Sequence, residues 1–272
     1  GRSDREFSLG PDLAFDLAAD ALYARSEWRY RAVEGLQVIT GIDINYQDFI
    51  VNFTGPAPQG QEGNNPSRRF SELPVQTSRN AGKIYHPAAY LELDWQLFGT
   101  LRVVPGLRVD YFGDIEQWSY DPRLSMSYAL DAQTRLKAGV GVFSQPPRPE
   151  QSTGGAYFGN PDLLPIRSLH YGAGVEHSFT DALSLDVEGF YKDVEQRVVN
   201  RVPDPDGVDD TVGLYDNDGQ GRIYGLEISG KARPKGRFFG FVSYTLSRSE
   251  RNDRREGWRL FDFDQTHILT LS

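Results

Sequence analysis

Charged side chains recur two residues apart through much of this 272-residue chain: Arg25, Glu27 and Arg29, then Glu92 and Asp94, Arg108 and Asp110, Asp186 and Glu188. Carboxylates and cations brought together can act as acid–base pairs. In an extended chain, however, residues two apart share a face. The same pattern, with Asp43, Arg102, Glu176, Glu227 and Lys231 added, therefore describes a water-facing wall whose opposite charges pair across neighbouring strands.

Other chemistries lack their spacing. Asp204, Asp206, Asp209 and Asp210 crowd one loop, but without the spacing of a calcium loop or its closing glutamate, so a solvated acidic loop is expected. His86, His170, His177 and His267 show no zinc-binding spacing. His170 and His177 would point to opposite faces of one strand. There is no nucleophile elbow, phosphate-binding loop or dinucleotide fingerprint. With no cysteine, disulfides, thiolate metal sites and a cysteine nucleophile are excluded. No catalytic residue, cofactor or metal is expected, and the chain reads as a non-enzyme. Ligand contact is expected instead from the segment Arg148 to Phe158, where an arginine and two aromatics flank Gly154-Gly155. Its candidates are Arg148, Tyr157 and Phe158.

The elements that would position these groups are strands. Leu169, Tyr171, Ala173 and Val175 alternate with His170, Gly172, Gly174 and Glu176; Thr180-Asp181-Ala182 turns; Leu183, Leu185 and Val187 then alternate with Ser184, Asp186 and Glu188. Period two on both sides of a tight turn predicts a β-hairpin. Its arms exceed the ordinary strand of about 5–6 residues and reach the roughly 9–11 of a membrane strand. Similar hairpins follow from Leu22 to Gln47, Ala89 to Tyr111 and Pro122 to Phe143, with Pro105 predicting a bulge or weakened ladder. Tight turns near 34, 99, 132, 181 and 235 alternate with connections near 69, 116, 156, 211 and 254 that are mostly longer. Outer-membrane barrels have this asymmetry between their two ends, whereas a soluble sandwich has no reason to keep it.

Composition permits this reading. No run of about 18 apolar residues is present, which excludes a transmembrane helix but not a barrel. An excess of 38 acidic over 29 basic residues argues against a nucleic-acid surface. The opening GRSDREFSLG has no signal-peptide pattern, so the start of the protein is expected upstream.

Several motifs carry a resemblance. Gly159-Asn160-Pro161-Asp162-Leu163, Pro165 and Ser168, followed by Gly189-Phe190-Tyr191 and Asp193, are similar to the barrel of TonB-dependent outer-membrane receptors. So are Tyr215-Asp216-Asn217-Asp218-Gly219 with Gly225-Leu226-Glu227, Phe143-Ser144-Gln145-Pro146-Pro147, and Phe263-Asp264-Gln265-Thr266-His267. Ile166 and Arg167 depart from the family, which often has Glu or Lys there. The resemblance implies an all-β fold, an antiparallel up-and-down transmembrane β-barrel of which residues 1–272 form a part. About 11–12 strands are expected here, against about 22 in the whole transporter. It implies a bacterial outer-membrane location, uptake of a scarce small extracellular ligand such as a siderophore, cobalamin or glycan, and contact with outer-membrane lipid. The plug domain and signal peptide are expected to be absent, and the TonB complex to be reached through the missing N-terminal region. A passive porin-like channel and a soluble all-β binding module are the alternatives.

Overall fold

The computed structural model describes residues 2–8, 13–56, 75–153, 159–200, 215–232, 239–253 and 257–272. The strands among them are β1 (Arg2–Ser8), β2 (Ala14–Val33), β3 (Leu36–Pro56), β4 (Val75–Leu97), β5 (Leu101–Phe112), β6 (Gln117–Ala129) and β7 (Thr134–Gln145). After a one-turn helix α1 (Pro149–Ser152) come β8 (Ile166–Ser178), β9 (Leu183–Asn200), β10 (Tyr215–Ala232), β11 (Gly240–Asn252), β12 (Trp258–Leu260) and β13 (His267–Leu271). All 13 join one antiparallel up-and-down sheet. β12 lies along Glu250–Asn252 and β13 along Val242–Leu246 of β11, so two short pieces share one strand position and the expected dozen is met. β1 and β13 do not pair, and the described sheet is not closed.

Period two sorts the side chains as the sequence requires. Register aligns Tyr171 with Val140 and Tyr191, and Tyr191 with Tyr224. That face also carries Leu107, Met126, Leu136, Val175, Leu226, Val242 and Leu246, all exposed. So much exposed apolar surface requires a non-aqueous environment or a large partner. Aromatics rim it at both ends: Tyr30, Trp95 and Tyr128 near the tight turns, and Tyr85, Trp118, Tyr120, Tyr171 and Tyr191 towards the longer connections. The opposite face carries the charges and most of the strand glycines.

Local chemistry makes the tight turns. Gly35 sits at φ 78°, where a side chain is strained, and a Cβ there would also meet the Gln96 carbonyl at 3.0 Å. Asp131 Oδ1 accepts the backbone N–H groups of Gln133 and Thr134, each at 2.7 Å. Thr180 Oγ1 accepts those of Ala182 and Leu183.

One expectation is met in one of its two forms and another changes in detail. Pro105 produces no bulge: β5 keeps one register on β4, but the ladder lapses between Glu92↔Gly106 and Trp95↔Val103, where proline offers no N–H. The longer connection expected near residue 69 has strand running into it from both sides. β3 runs to Pro56, and β4 begins at Val75, paired throughout. Beyond Tyr46 the two faces exchange character. Asp48 and Asn52 continue the apolar face, while Phe49, Val51 and Phe53 continue the charged one. The exchange interrupts the alternation of hydrophobicity without interrupting the strand.

Candidate functional site at the long-loop end

The charged face is a wall of ion pairs. Arg108 reaches Asp43 at 2.6 Å and Asp110 at 2.8 Å. Arg102 grips Asp94 through two bonds of 2.7 and 2.8 Å, and Arg123 meets Glu92 at 2.6 Å. Lys137 of β7 pairs with Asp186 of β9 across β8. Tyr90 lies over Gly41, where a Cβ would meet its ring at 2.5 Å; its hydroxyl donates to Glu27 at 2.7 Å and accepts from Arg25 at 3.0 Å. Each pair touches water and adds little stability. Together they satisfy the charges of a hydrated wall, as the two-residue spacing in the sequence predicts.

At the long-loop end the residues of two sequence motifs meet. The Asn217 amide donates to the Leu164 carbonyl at 2.9 Å and to that of Gln196 at 2.8 Å, and its oxygen accepts the Leu164 N–H at 2.7 Å. Gln196 stands at φ 56° where the β9–β10 register shifts, so Asn217 props a strained bulge. Asn160 donates to the Tyr215 carbonyl at 2.9 Å and accepts the Asp162 N–H at 2.9 Å. Between them Leu163, 1% exposed, fills a cluster with Phe112, Ile115 and Val198. The motifs quoted from the sequence thus knot the base of the long connection to the neighbouring hairpin.

The other end of this connection is latched. α1 begins after Arg148, whose N–H is capped by Gln151 Oε1 at 2.9 Å. Ser152 Oγ donates to Asp114 Oδ2 at 2.8 Å, while His86 Nε2 lies 2.6 Å from Asp114 Oδ1. Asn80 donates to Thr153 Oγ1 at 3.3 Å. Ser, His and Asp meet here, but the carboxylate stands between the other two. The hydroxyl has no imidazole beside it to take its proton, so the trio positions a loop and is no nucleophilic triad. Sequence reading missed it because 28 and 38 residues separate Asp114 from its partners and no local spacing marks them.

Burial pulls Asp114 towards its neutral form, but the hydrogen bonds from His86 and Ser152 and the charge of His86 outweigh it and hold the carboxyl below its ordinary value. A carboxyl depressed in the folded state stabilises it fully above the ordinary range and loses that contribution as pH falls through the lowered value. A nitroxide on Arg148→Cys is therefore expected to be immobile between about pH 5 and 8 and to loosen below about pH 4. In Asp114→Asn it should be loose throughout. A spectrum in Asp114→Asn as immobile at neutral pH as in the unmodified background would remove the carboxylate from the latch.

Of the expected contact residues, Arg148 lies on the exposed rim beside α1. Tyr157 and Phe158 lie outside the described residues, as do Asp204 to Asp210. Among the described residues no cluster of His, Asp and Glu suits a metal ion, and no helix is long and apolar enough to cross a membrane.

Solved structures share this architecture. The siderophore receptor PirA from Acinetobacter baumannii is 16% identical, with a TM-score of 0.69 over 97% of this chain and 41% of its own. The outer membrane transporter YddB from Escherichia coli is 12% identical, with a TM-score of 0.63 over 88% of this chain and 34% of its own. The FrpB iron transporter from Neisseria meningitidis is 14% identical, with a TM-score of 0.62 over 87% and 36% respectively. The chain thus spans well under half the length of these proteins, and at such identities the likeness is one of fold. No curated protein matches the chain. The family described as TonB dependent receptor-like, beta-barrel matches residues 2–266. Strand order, face segregation and this match agree: the chain belongs to the TonB-dependent receptor β-barrel family.

Proposed function

We propose that the chain is part of the wall of a bacterial outer-membrane receptor that takes up a scarce extracellular ligand with energy delivered through TonB. The observation that carries this reading is the family match over residues 2–266, borne by a sheet with one apolar, aromatic-rimmed face and one hydrated, ion-paired face. In this reading the first face meets lipid and the second an aqueous lumen. The long-loop end, with Arg148, Tyr157 and Phe158, faces the cell exterior and meets the ligand first. The plug and the TonB-contacting segment are supplied by polypeptide outside residues 1–272. Relatives described as siderophore receptor, copper transporter and peptide importer support uptake as the common activity and leave the ligand class open among siderophores, cobalamin, glycans and similar molecules.

Two measurements test the reading. With no native cysteine, an Asp162→Cys probe at the long-loop end should react with an impermeant thiol reagent on intact cells. Ala132→Cys, in a tight turn, should react only after the outer membrane is opened. Uptake of a panel of ferric chelates, cobalamin and oligosaccharides should then include one ligand that requires the protein and stops when the inner-membrane proton gradient is collapsed. Uptake that survives the collapse would make the protein a passive channel.

A further inference from the structure

The tight connections each carry an exposed large apolar residue. These are Val33, Phe98, Leu130 and Phe179, with Phe239 beside the fifth. Turn chemistry does not call for them. Phe98 and Gly99 both take positive φ, 51° and 70°, a pair of angles that Asn-Gly meets best. Phenylalanine is strained in that conformation. Its ring is 90% exposed and gains almost no contact within the fold.

The tips continue the apolar face. Unbroken alternation would put Val33 with Arg29 and Arg31 on the charged face. A register shift after Arg31 instead brings Val33 opposite Leu36, which pairs with Trp95 on the apolar face. Leu130 lies two residues beyond Tyr128, and its N–H still bonds the Thr134 carbonyl at 3.0 Å. Phe179 lies two residues beyond His177, which shares the face of Val175. The two rings meet edge to face with centroids 4.7 Å apart. The aromatic rim at Trp95 and Tyr128 stops two or three residues short, so the tips reach roughly 7–10 Å past it along the strands.

A protein surface or a lipid interface could cover such residues, and their layout favours lipid. Neighbouring tips are two strands apart, roughly 10 Å, and Glu34, Asp131 and Asp181 stand among them. They form no contiguous patch of the kind a protein partner covers. Each can enter a headgroup layer by itself, as interfacial apolar side chains do. Residues 33–36, 97–101, 129–134 and 178–183 hold no Lys or Arg, so the attraction is apolar and suits a zwitterionic phospholipid.

We infer that the tips of the tight turns are seated in the phospholipid headgroup layer and anchor this end of the sheet there. The inference rests on the reading of the apolar face as a lipid face and extends that face past its aromatic rim.

The test uses the full-length protein in phosphatidylcholine vesicles. Single cysteines, absent from the native chain, are labelled with bimane, with the unsubstituted protein as blank. Phe98→Cys, Leu130→Cys and Phe179→Cys report the tips, Leu226→Cys the middle of the apolar face, and Ala132→Cys the Asp131–Gln133 part of a turn. Each variant is first checked for heat-modifiable mobility. The quenchers are a lipid nitroxide near the headgroup, another deep in the acyl chain, and iodide in water. Bimane at the tips should lose its fluorescence to the shallow nitroxide and keep it in iodide, whereas bimane at Ala132→Cys should lose it to iodide. Tips quenched by iodide as strongly as Ala132→Cys stand in water, and tips reached by no quencher lie under protein. Either result, with Leu226→Cys quenched by the deep nitroxide, would overturn the inference alone. Leu226→Cys untouched by both lipid quenchers would overturn the lipid face, and the inference with it.

Discussion

Arginine at Leu226 is expected to block membrane assembly, while arginine at Thr245, in the adjacent strand, is expected to be tolerated. Leu226 stands on the apolar face between Gly189 and Leu246. A guanidinium there would sit in hydrocarbon at a cost of about 2–4 kcal/mol near mid-depth. Thr245 stands on the charged face beside Glu227, where a new cation meets water and a carboxylate. The measurement is the heat-modifiable fraction of each variant in membranes or lipid vesicles. Equal assembly of the two would dissolve the division of the sheet into a lipid face and a lumen face.

The second large effect is expected from a change of one atom. Asn217→Asp keeps the shape of the side chain but replaces the Nδ2 donor with an oxygen. That oxygen would face the carbonyls of Leu164 and Gln196, which now receive bonds of 2.9 and 2.8 Å. Two acceptors lose their donor and meet a negative charge instead, a penalty of about 3 kcal/mol by the cost of unmade hydrogen bonds. The bulge at Gln196 then lacks its prop, and Leu163 lacks the walls that bury it. Protease cleavage between Pro146 and Pro165 should quicken strongly in Asn217→Asp, while the barrel strands stay assembled. Asn217→Ser, which retains one donor, should fall between the two. Cleavage as slow as in the unmodified protein would mean that the hydrophobic cluster alone holds the loop base.

The outcomes at particular residues show how far the sequence reached. Alternation at Leu169–Glu176 and Leu183–Glu188 was enough to place every side chain of that hairpin on its face, because in a strand the face follows from residue parity alone. Turn positions were legible for a similarly local reason: Asp131 and Thr180 accept from backbone groups within three residues of themselves, and Gly35 supplies its own positive φ. The family, too, was legible, since its motifs are short and contiguous. Where polarity changed sides at Tyr46 to Phe49, parity still held but hydrophobicity no longer reported it; the strand could be followed only as far as Phe53, and the first part of β4 was read as loop.

What only the tertiary structure decided is the set of meetings between distant segments. Asn160 and Asn217 were each visible as parts of motifs, yet their separate partners, Tyr215 and Leu164, lie more than 50 residues away. The latch of His86, Asp114 and Ser152 has the same character. Strand register across three or more strands sets these distances, and register is fixed by the whole ladder rather than by any one strand. A sequence read strand by strand specifies which side each residue faces; the sheet decides which residues then stand opposite one another.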